Sequence, residues 1–372
     1  MAAGGGRATA GRLWLPEVCI IKFVHFLAEL IPSRVALQGI DVFCHRDKVS
    51  RGTCCSALLF LRVCAAAGLV LALGYSPATL AQLQATDRSA TPDLEPITPV
   101  PDPPAADPLK VALGERLFTD PRLSRGNTRA CSSCHDLQTN GASRNAKDIA
   151  PDGSLLSFNT TTVFNSTLSF RFGWEGEFRT LEAQAAASLQ NPRIMDSRIE
   201  EVIGKLSHDS DVVHNFQAVY GHGPDSPSVL DAIAAFERSL VTPGSQFDRW
   251  LAGDTTALSA QQLDGYRLFK SLGCVSCHQG VNVGGNLFQQ HGIFHPLARD
   301  DPKILRVPSL RNIATTAPYF HDGSAPSLDE AVRKMATAQL DLALTDQQVD
   351  DIVAFLRSLT GTYHNRPVEE PK

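Results

Sequence analysis

Apolar residues return every third or fourth position in five separate stretches, and each predicts a helix. In "PLKVALGERLFTDPRLS" they are Val111, Leu113, Leu117 and Leu123, with Pro121 ending the element. Asp231–Leu240, "DAIAAFERSL", and Ser259–Leu272, "SAQQLDGYRLFKSL", are amphipathic. "LDEAVRKMATAQLD" forms a fourth, and "DQQVDDIVAFLRSL" a fifth. In the last, Thr345 is placed to cap, Val349, Ile352, Val353 and Leu356 make one apolar face, and Gly361 is expected to stop the helix. Strand signals are sparse, so the pattern predicts an all-α protein. The segment "TPDLEPITPVPDPPAADP" is too rich in proline for helix or strand and is expected to be a tether.

Another pattern lies nearer the N-terminus. Lys48, Arg51 and Arg62 precede the apolar run Val63–Leu73, and small residues allow cleavage after Ala81. The run is too short to span a bilayer comfortably, so an exported, periplasmic protein is expected, the alternative being an uncleaved anchor. A charged leader this long is unusual and fits a start further downstream, at Val42 or Val49. The chain has 372 residues, 43% hydrophobic and 20% charged, with net charge -5, which suits one or two globular domains and gives no sign of a nucleic-acid binder.

Cysteine placement changes the picture. Cys19, Cys44, Cys54, Cys55 and Cys64 lie in the leader, and the other four belong to "CSSCH" (Cys131, Cys134, His135) and "CVSCH" (Cys274, Cys277, His278). None is left for a structural disulfide. Two thiols three positions apart can each add to one vinyl group of a haem, and the adjacent histidine is then held under the iron as axial ligand. Zinc sites and thioredoxin-like pairs share the C-x-x-C core. Two copies, each with its His, in an exported chain favour two covalently bound haem c groups with His135 and His278 as proximal iron ligands. What fills the sixth iron position separates electron transfer from catalysis. Met195 and Met335 are the methionines of the mature chain, and Met335, downstream of the second motif, is the candidate ligand; its alternative is core filler.

The blocks "LGERLFTDPRLSRGNTRACSSCHD", "SLVTPGSQFDRWLAGD", "LFKSLGCVSCHQG", "VPSLRNIATTAPYFHDGS" and "AVRKMATAQL" resemble the bacterial dihaem cytochrome c peroxidases, in the family's order, over about Pro108 to Gly361. The related methylamine-dehydrogenase maturation enzymes carry Tyr at the position of Met335. The resemblance implies two type c cytochrome domains, 109–257 and 258–362, with haems facing the domain interface, a leader over 1–81, a tether over 82–108 and a tail over 363–372. It implies a low-potential peroxidatic haem on Cys131, Cys134 and His135, and a high-potential haem on Cys274, Cys277, His278 and Met335. The second would take electrons from a small cytochrome c or cupredoxin. Trp174 matches the tryptophan between the haems, Gln184 a distal-pocket glutamine, and Asn159, Thr316 and Pro318 the oxygens that bind calcium between the domains. A homodimer is implied more weakly.

Two departures from the family matter. Where a distal His would close the peroxidatic haem, "DLQTNGASRNAKDIAPDGSLLSFNT" has none, so an open haem without reductive activation is expected. The family's Asn-Pro-x-Glu-Met reads Asn191-Pro192-Arg193-Ile194-Met195, placing Ile194 where a distal acid/base would stand. Glu182, Gln184, Arg193 and Asp196 are the nearby substitutes, and Met195 is an alternative ligand. His208, His214, His222, His291 and His295 read as surface residues. His321 reads as a structural hydrogen-bonding residue, and Arg306 and Arg311 as partners of haem propionates or surface charges. The expected activity is reduction of hydrogen peroxide to water. The alternatives are a protein-modifying oxidase of the maturation type and a dihaem electron carrier.

Overall fold

The computed structural model describes residues 95–297 and 304–370. The expected leader, its cleavage site and the first part of the tether lie outside them. The described chain is mostly helical: α1 Pro108–Phe118, α2 Leu181–Gln190, α3 Ile199–Ser207, α4 Ser210–Tyr220, α5 Ser226–Ser239, α6 Gln246–Leu251, α7 Ala260–Ser271, α8 Leu328–Leu340 and α9 Asp346–Arg357. Two short antiparallel pairs, β1 Phe288–Gln290 with β2 Ile304–Arg306 and β3 Thr362–Tyr363 with β4 Arg366–Pro367, correct the all-α expectation. No helix among the described residues is long and apolar enough to cross a membrane.

Helix ends follow local chemistry. Asp107 accepts from the Leu109 amide with Pro108 in the first turn of α1. Reciprocal boxes, Ser259 with Gln262 and Thr345 with Gln348, start α7 and α9. Helix α5 begins before the expected Asp231, because Asp225 and Ser228 form a capping box upstream. Gly361 does not stop α9, which ends at Arg357 with Ser358 as its cap. Gly361 is instead pressed so close to Thr242 that a Cβ would strike the Thr242 carbonyl.

The two halves are built alike. Helix α1 crosses α5 at Gly114, where a Cβ would collide with the Ala232 carbonyl and the Phe236 Cβ. Helix α7 crosses α9 at Gly265, where a Cβ would meet the Asp351 carbonyl and the Phe355 Cβ. One turn after each glycine, "GERLF" and "GYRLF" supply Phe118 and Phe269, which pack on Phe236 (centroids 5.3 Å) and Phe355 (5.1 Å). Later elements keep step. Left-handed Asn165 and Asn312 each start a single 3-10 turn, and both side chains donate to Thr242 Oγ1, at 2.7 and 2.9 Å. The bridges Phe172–Phe178 and Tyr319–Ala325, then the N-caps Thr180 of α2 and Ser327 of α8, stand in the same register. Trp174 therefore corresponds to His321, and Ser188 of α2 to Met335 of α8.

Both chain ends of the described region are packed. Glu95–Val100 forms no helix or strand, as its prolines require, yet it is not a free tether. Ile97 sits in the core of the second half with Phe247, Tyr266 and Phe355. Glu95 accepts from Tyr266 Oη at 2.5 Å and from Lys270. Arg311, 2% exposed, donates to the Thr98 carbonyl at 2.8 Å and pairs with Asp248 at 2.8 Å, while Asp248 accepts from the Val100 amide. The expected tail over 363–372 returns to the first half, where Val368 is buried with Phe118, Phe164 and Phe236 and Tyr363 lies 4.8 Å from Phe164.

The glycine crossings generate a test. Glycine to alanine in a helix interior ordinarily stabilises by about 1 kcal/mol, but here the added methyl must displace backbone, an overpacking cost of about 1–3 kcal/mol. Gly265→Ala is expected to lower the denaturant midpoint of the holoprotein by a net destabilisation of about 1–2 kcal/mol. An unchanged or raised midpoint contradicts the close crossing.

Candidate functional site: a cavity shared by two C-x-x-C-H motifs

Each motif begins a single 3-10 turn, Cys131–Ser133 and Cys274–Ser276. The turn folds the histidine back so that the His135 amide donates to the Cys131 carbonyl, and the His278 amide to the Cys274 carbonyl, both at 3.0 Å. His135 Nδ1 then donates to the Gly141 carbonyl at 3.1 Å, and His278 Nδ1 to the Val283 carbonyl at 3.3 Å. That bond sets the tautomer in which Nε2 is the nitrogen able to bind a metal. Burial lowers the pKa of both rings, His278 to about 4, keeping them in the neutral form a metal requires. Phe118 and Phe269 stand against the two rings at 6.4 and 6.3 Å with tilts of 48° and 51°. The helix crossings thus hold the two histidines in matching poses.

Burial also pushes the thiols up, Cys131 to about 12 and Cys134 and Cys274 to about 11, so they are thiols rather than nucleophilic thiolates. No group of three or more His, Cys, Asp or Glu that could hold a metal ion is found among the described residues, which weighs against the zinc reading.

A single cavity of about 740 Å³ is lined by residues of both motifs, including Cys134, His135, Cys274, Cys277 and His278. That is the size of a cofactor site. Its walls fit a haem, a group with an apolar ring, charged carboxylates and a metal. Four buried side-chain polar atoms that line this cavity lack a hydrogen-bond partner among the described residues: Ser166 Oγ, Glu237 Oε2, His321 Nδ1 and Gln339 Oε1. Buried polar atoms are rarely left unpaired, so their concentration around one cavity points to a polar occupant.

Several expected site residues meet here. Met335, Trp174, Gln184, Ile194, Asn159, Thr316 and Pro318 all line the cavity. Trp174 Nε1 donates to the Asn159 carbonyl at 2.8 Å, and the Asn159 amide donates to the His321 carbonyl at 2.7 Å. Asn159 therefore joins the paired Trp174 and His321 loops, whose rings stand 6.3 Å apart. Gln184 Nε2 donates to Ser188 Oγ at 2.9 Å. Ser188 lines the cavity at the position corresponding to Met335, so the first half presents a short hydroxyl where the second presents a thioether. Arg193 reaches the cavity and donates to the Leu155 carbonyl. The loop expected to lack a closing His is tied instead by Asp148, which accepts from Ser143, Asn145 and Thr160.

Other expectations are corrected. Glu182 and Asp196 do not line the cavity and are held in ion pairs with Arg238 and Arg125. Met195 is core filler, 5% exposed among Leu189, Val202 and Leu206. Arg311 is structural, while Arg306 lines the cavity and donates to the Gly173 carbonyl at 3.0 Å, bracing the Trp174 loop. His208, His214, His222 and His295 are exposed, but His291 is half-buried and edge-on to His321 at 4.5 Å. His321 Nδ1 makes none of the expected structural hydrogen bonds. Sequence reasoning also missed Phe118, Phe269 and Glu237. The repeated "G-x-R-L-F" was the available signal for the two phenylalanines, whereas nothing local marks Glu237.

Comparisons with known proteins agree with this geometry. The family model described as di-haem cytochrome c peroxidase matches residues 108–256, and that described as cytochrome c matches residues 262–360. The chain is 41% identical over 287 residues to the cytochrome c peroxidase Ccp of Escherichia coli, covering 72% of this chain and 62% of that protein. It is 38% identical over 282 residues to the cytochrome c551 peroxidase of Nitrosomonas europaea, covering 72% and 84%. The methylamine utilization protein MauG of Methylorubrum extorquens is 30% identical over 285 residues, covering 69% and 80%. Among solved structures, a MauG-like protein associated with microbial copper homeostasis superposes with TM-score 0.62 at 26% identity, covering 70% of this chain and 93% of that one.

The His291–His321 contact carries a pH prediction. Burial first, then the neighbouring His321, lowers the His291 pKa to about 4, with Asp322 opposing. The unfolded value is about 6.5, so the unfolded chain binds more protons between these limits, and the stability from neutral His291 is lost as pH falls from 6.5 to 4. Allowing for partial exposure, His291→Phe is expected to remove about 1–2 kcal/mol of that loss. Urea midpoints at pH 7.5 and 4.5 check it, and equal pH dependence in parent and variant would refute it.

Proposed function

The chain belongs to the di-haem cytochrome c peroxidase family, and on that premise we propose that it reduces hydrogen peroxide to water with electrons from a small cytochrome c or cupredoxin. The observation that carries this reading is the unequal pair at corresponding positions, Met335 on one wall of the cavity and Ser188 on the other. When bound, the two haem c groups supply one-electron redox chemistry, the second as entry point and the first as the site of peroxide reduction.

The chain's own residues divide the work. Cys131 and Cys134, and likewise Cys274 and Cys277, would anchor the groups, and His135 and His278 would hold their irons. Met335 closes the second site, which favours a higher potential there. Ser188 is too short to do the same in the first, leaving room for peroxide. Gln184, steadied by Ser188, and Arg193 orient the substrate by hydrogen bonding. Trp174, tied to the Asn159 carbonyl and lining the cavity shared by the two motifs, is assigned the electron path between the haems. Ile194 offers no proton, so proton delivery limits the rate. Asn159, with the carbonyls of Thr316 and Pro318, is assigned to a calcium ion that holds the two loops together; all three line the cavity. Export to the periplasm and a homodimeric state complete the proposal.

Steady-state reduction of peroxide by a reduced small cytochrome c tests the activity directly, and absence of turnover rules it out. Ile194→Glu is expected to raise kcat by about a hundredfold, the low end of the usual contribution of a placed general acid or base. A variant no faster than the parent means another group already moves the proton. Met335→Ala should convert one low-spin haem signal to high spin and slow electron entry, and an unchanged spectrum would remove Met335 from the second iron.

A further inference from the structure

The two halves correspond at one more pair of positions, and there they differ in charge. Phe236 and Phe355 occupy equivalent places on α5 and α9, each against the phenylalanine that backs a motif histidine. The next residue along each helix lines the cavity: Leu356 in the second half and Glu237 in the first. Glu237 is 7% exposed, and its Oε2 has no hydrogen-bond partner among the described residues. Cys131 packs on the cluster that holds Phe236 and Leu240, the residues flanking Glu237, and the carboxyl helps burial to raise that thiol's pKa, so Glu237 belongs to the first motif's side of the cavity. A leucine at this point fits a packed wall. A carboxyl in the same surroundings costs free energy unless it is neutral or paired.

We propose that Glu237 couples reduction of the first haem to uptake of one proton, and that its carboxylate holds that haem's potential below the potential of the second haem, where Leu356 stands instead. The step balances. One electron arrives from the donor by way of the second haem, one proton comes from solvent, and an O–H bond forms on the Glu237 carboxylate. The negative charge gained at the iron is thus offset within a site of low dielectric, where charge interactions are strong. Ionised Glu237 opposes the arriving electron and neutral Glu237 does not, so the potential falls as pH rises.

The neighbouring charges leave this role to Glu237. On α5 itself, Arg238 is engaged by Glu182 of α2. Lys110 of α1 is paired with Asp231, Arg116 of α1 with Asp209, and Lys205 of α3 with Glu201 of the same helix. Glu115 of α1 acts on Tyr363, and the Cys131 thiol is consumed by haem attachment. Burial, opposed by Arg238 and reinforced by Glu182, raises the Glu237 pKa to about 8, so a change of iron charge can switch its protonation near neutral pH.

The inference rests on a haem at Cys131–His135 but not on peroxide turnover, so failure of the peroxidase reading would leave its test untouched. The holoprotein, Glu237→Gln and Glu237→Leu are titrated by spectroelectrochemistry from pH 6 to pH 9, with the second haem as internal control. In the parent, the first haem's reduction equilibrium should fall up to tenfold per pH unit, which is about 59 mV for one electron. In both variants that slope should flatten and the first haem's potential should rise at pH 9, with the second haem unchanged. Equal slopes in parent and variants would overturn the proposal. Infrared difference spectra of the unaltered protein provide a reading that needs no variant. A protonated-carboxyl band must grow on reduction at pH 8, and its absence would equally refute the coupling.

Discussion

The contact on which the site depends is the crossing of two helices at a missing side chain. Gly114 against Ala232, and Gly265 against Asp351, bring backbones so close that no Cβ fits between them. Only at that separation can Phe118 reach Phe236 and Phe269 reach Phe355, and only then do Phe118 and Phe269 stand behind His135 and His278. Packing is close to crystalline density in such interiors, so a helix displaced by a methyl group moves everything it supports. The ring nitrogens are fixed in turn by the Gly141 and Val283 carbonyls. The matching poses of His135 and His278 are therefore set by van der Waals exclusion.

Duplication of that scaffold makes the differences informative. Thr242 lies where the halves meet, accepting from Asn165 and Asn312 alike, and Gly361 closes on it from the second half. The ends of the described chain are exchanged across the same junction, with Ile97 in the second core and Val368 in the first. Against this common frame, three substitutions separate the two sites: Ser188 for Met335, Glu237 for Leu356, and Trp174 for His321. The first sets a hydroxyl against a thioether on the cavity wall, the second a carboxyl against a leucine, and the third places two different aromatic rings side by side at the meeting of the loops.

Much of this architecture was legible beforehand, because the signals are local. The helices over Pro108–Phe118, Ala260–Ser271 and Asp346–Arg357 follow from apolar spacing and from caps at Asp107, Ser259 and Thr345. The early start of α5, the true role of Gly361 and the burial of Ile97 were not legible. In each case a distant partner overrides the local signal or a capping residue lies outside the periodic stretch. Histidines divide the same way: His295 is exposed as its surroundings suggest, whereas His291 is half-buried because the second half brings His321 onto it.

By itself the sequence determined the two C-x-x-C-H motifs, at Cys131–His135 and Cys274–His278, that are the pattern for haem c attachment, since that pattern needs only residues contiguous in the chain. It also determined the family, through blocks whose order is preserved from Pro108 to Gly361. The tertiary structure decided which polar groups face the cavity those motifs share. Glu182 and Asp196, close to the distal motif in the chain, are turned away into ion pairs, while Glu237, more than forty residues further on, is brought to the wall. The physical reason is that a carboxyl's behaviour is set by its burial and its partners, and both are properties of helix packing rather than of neighbouring residues.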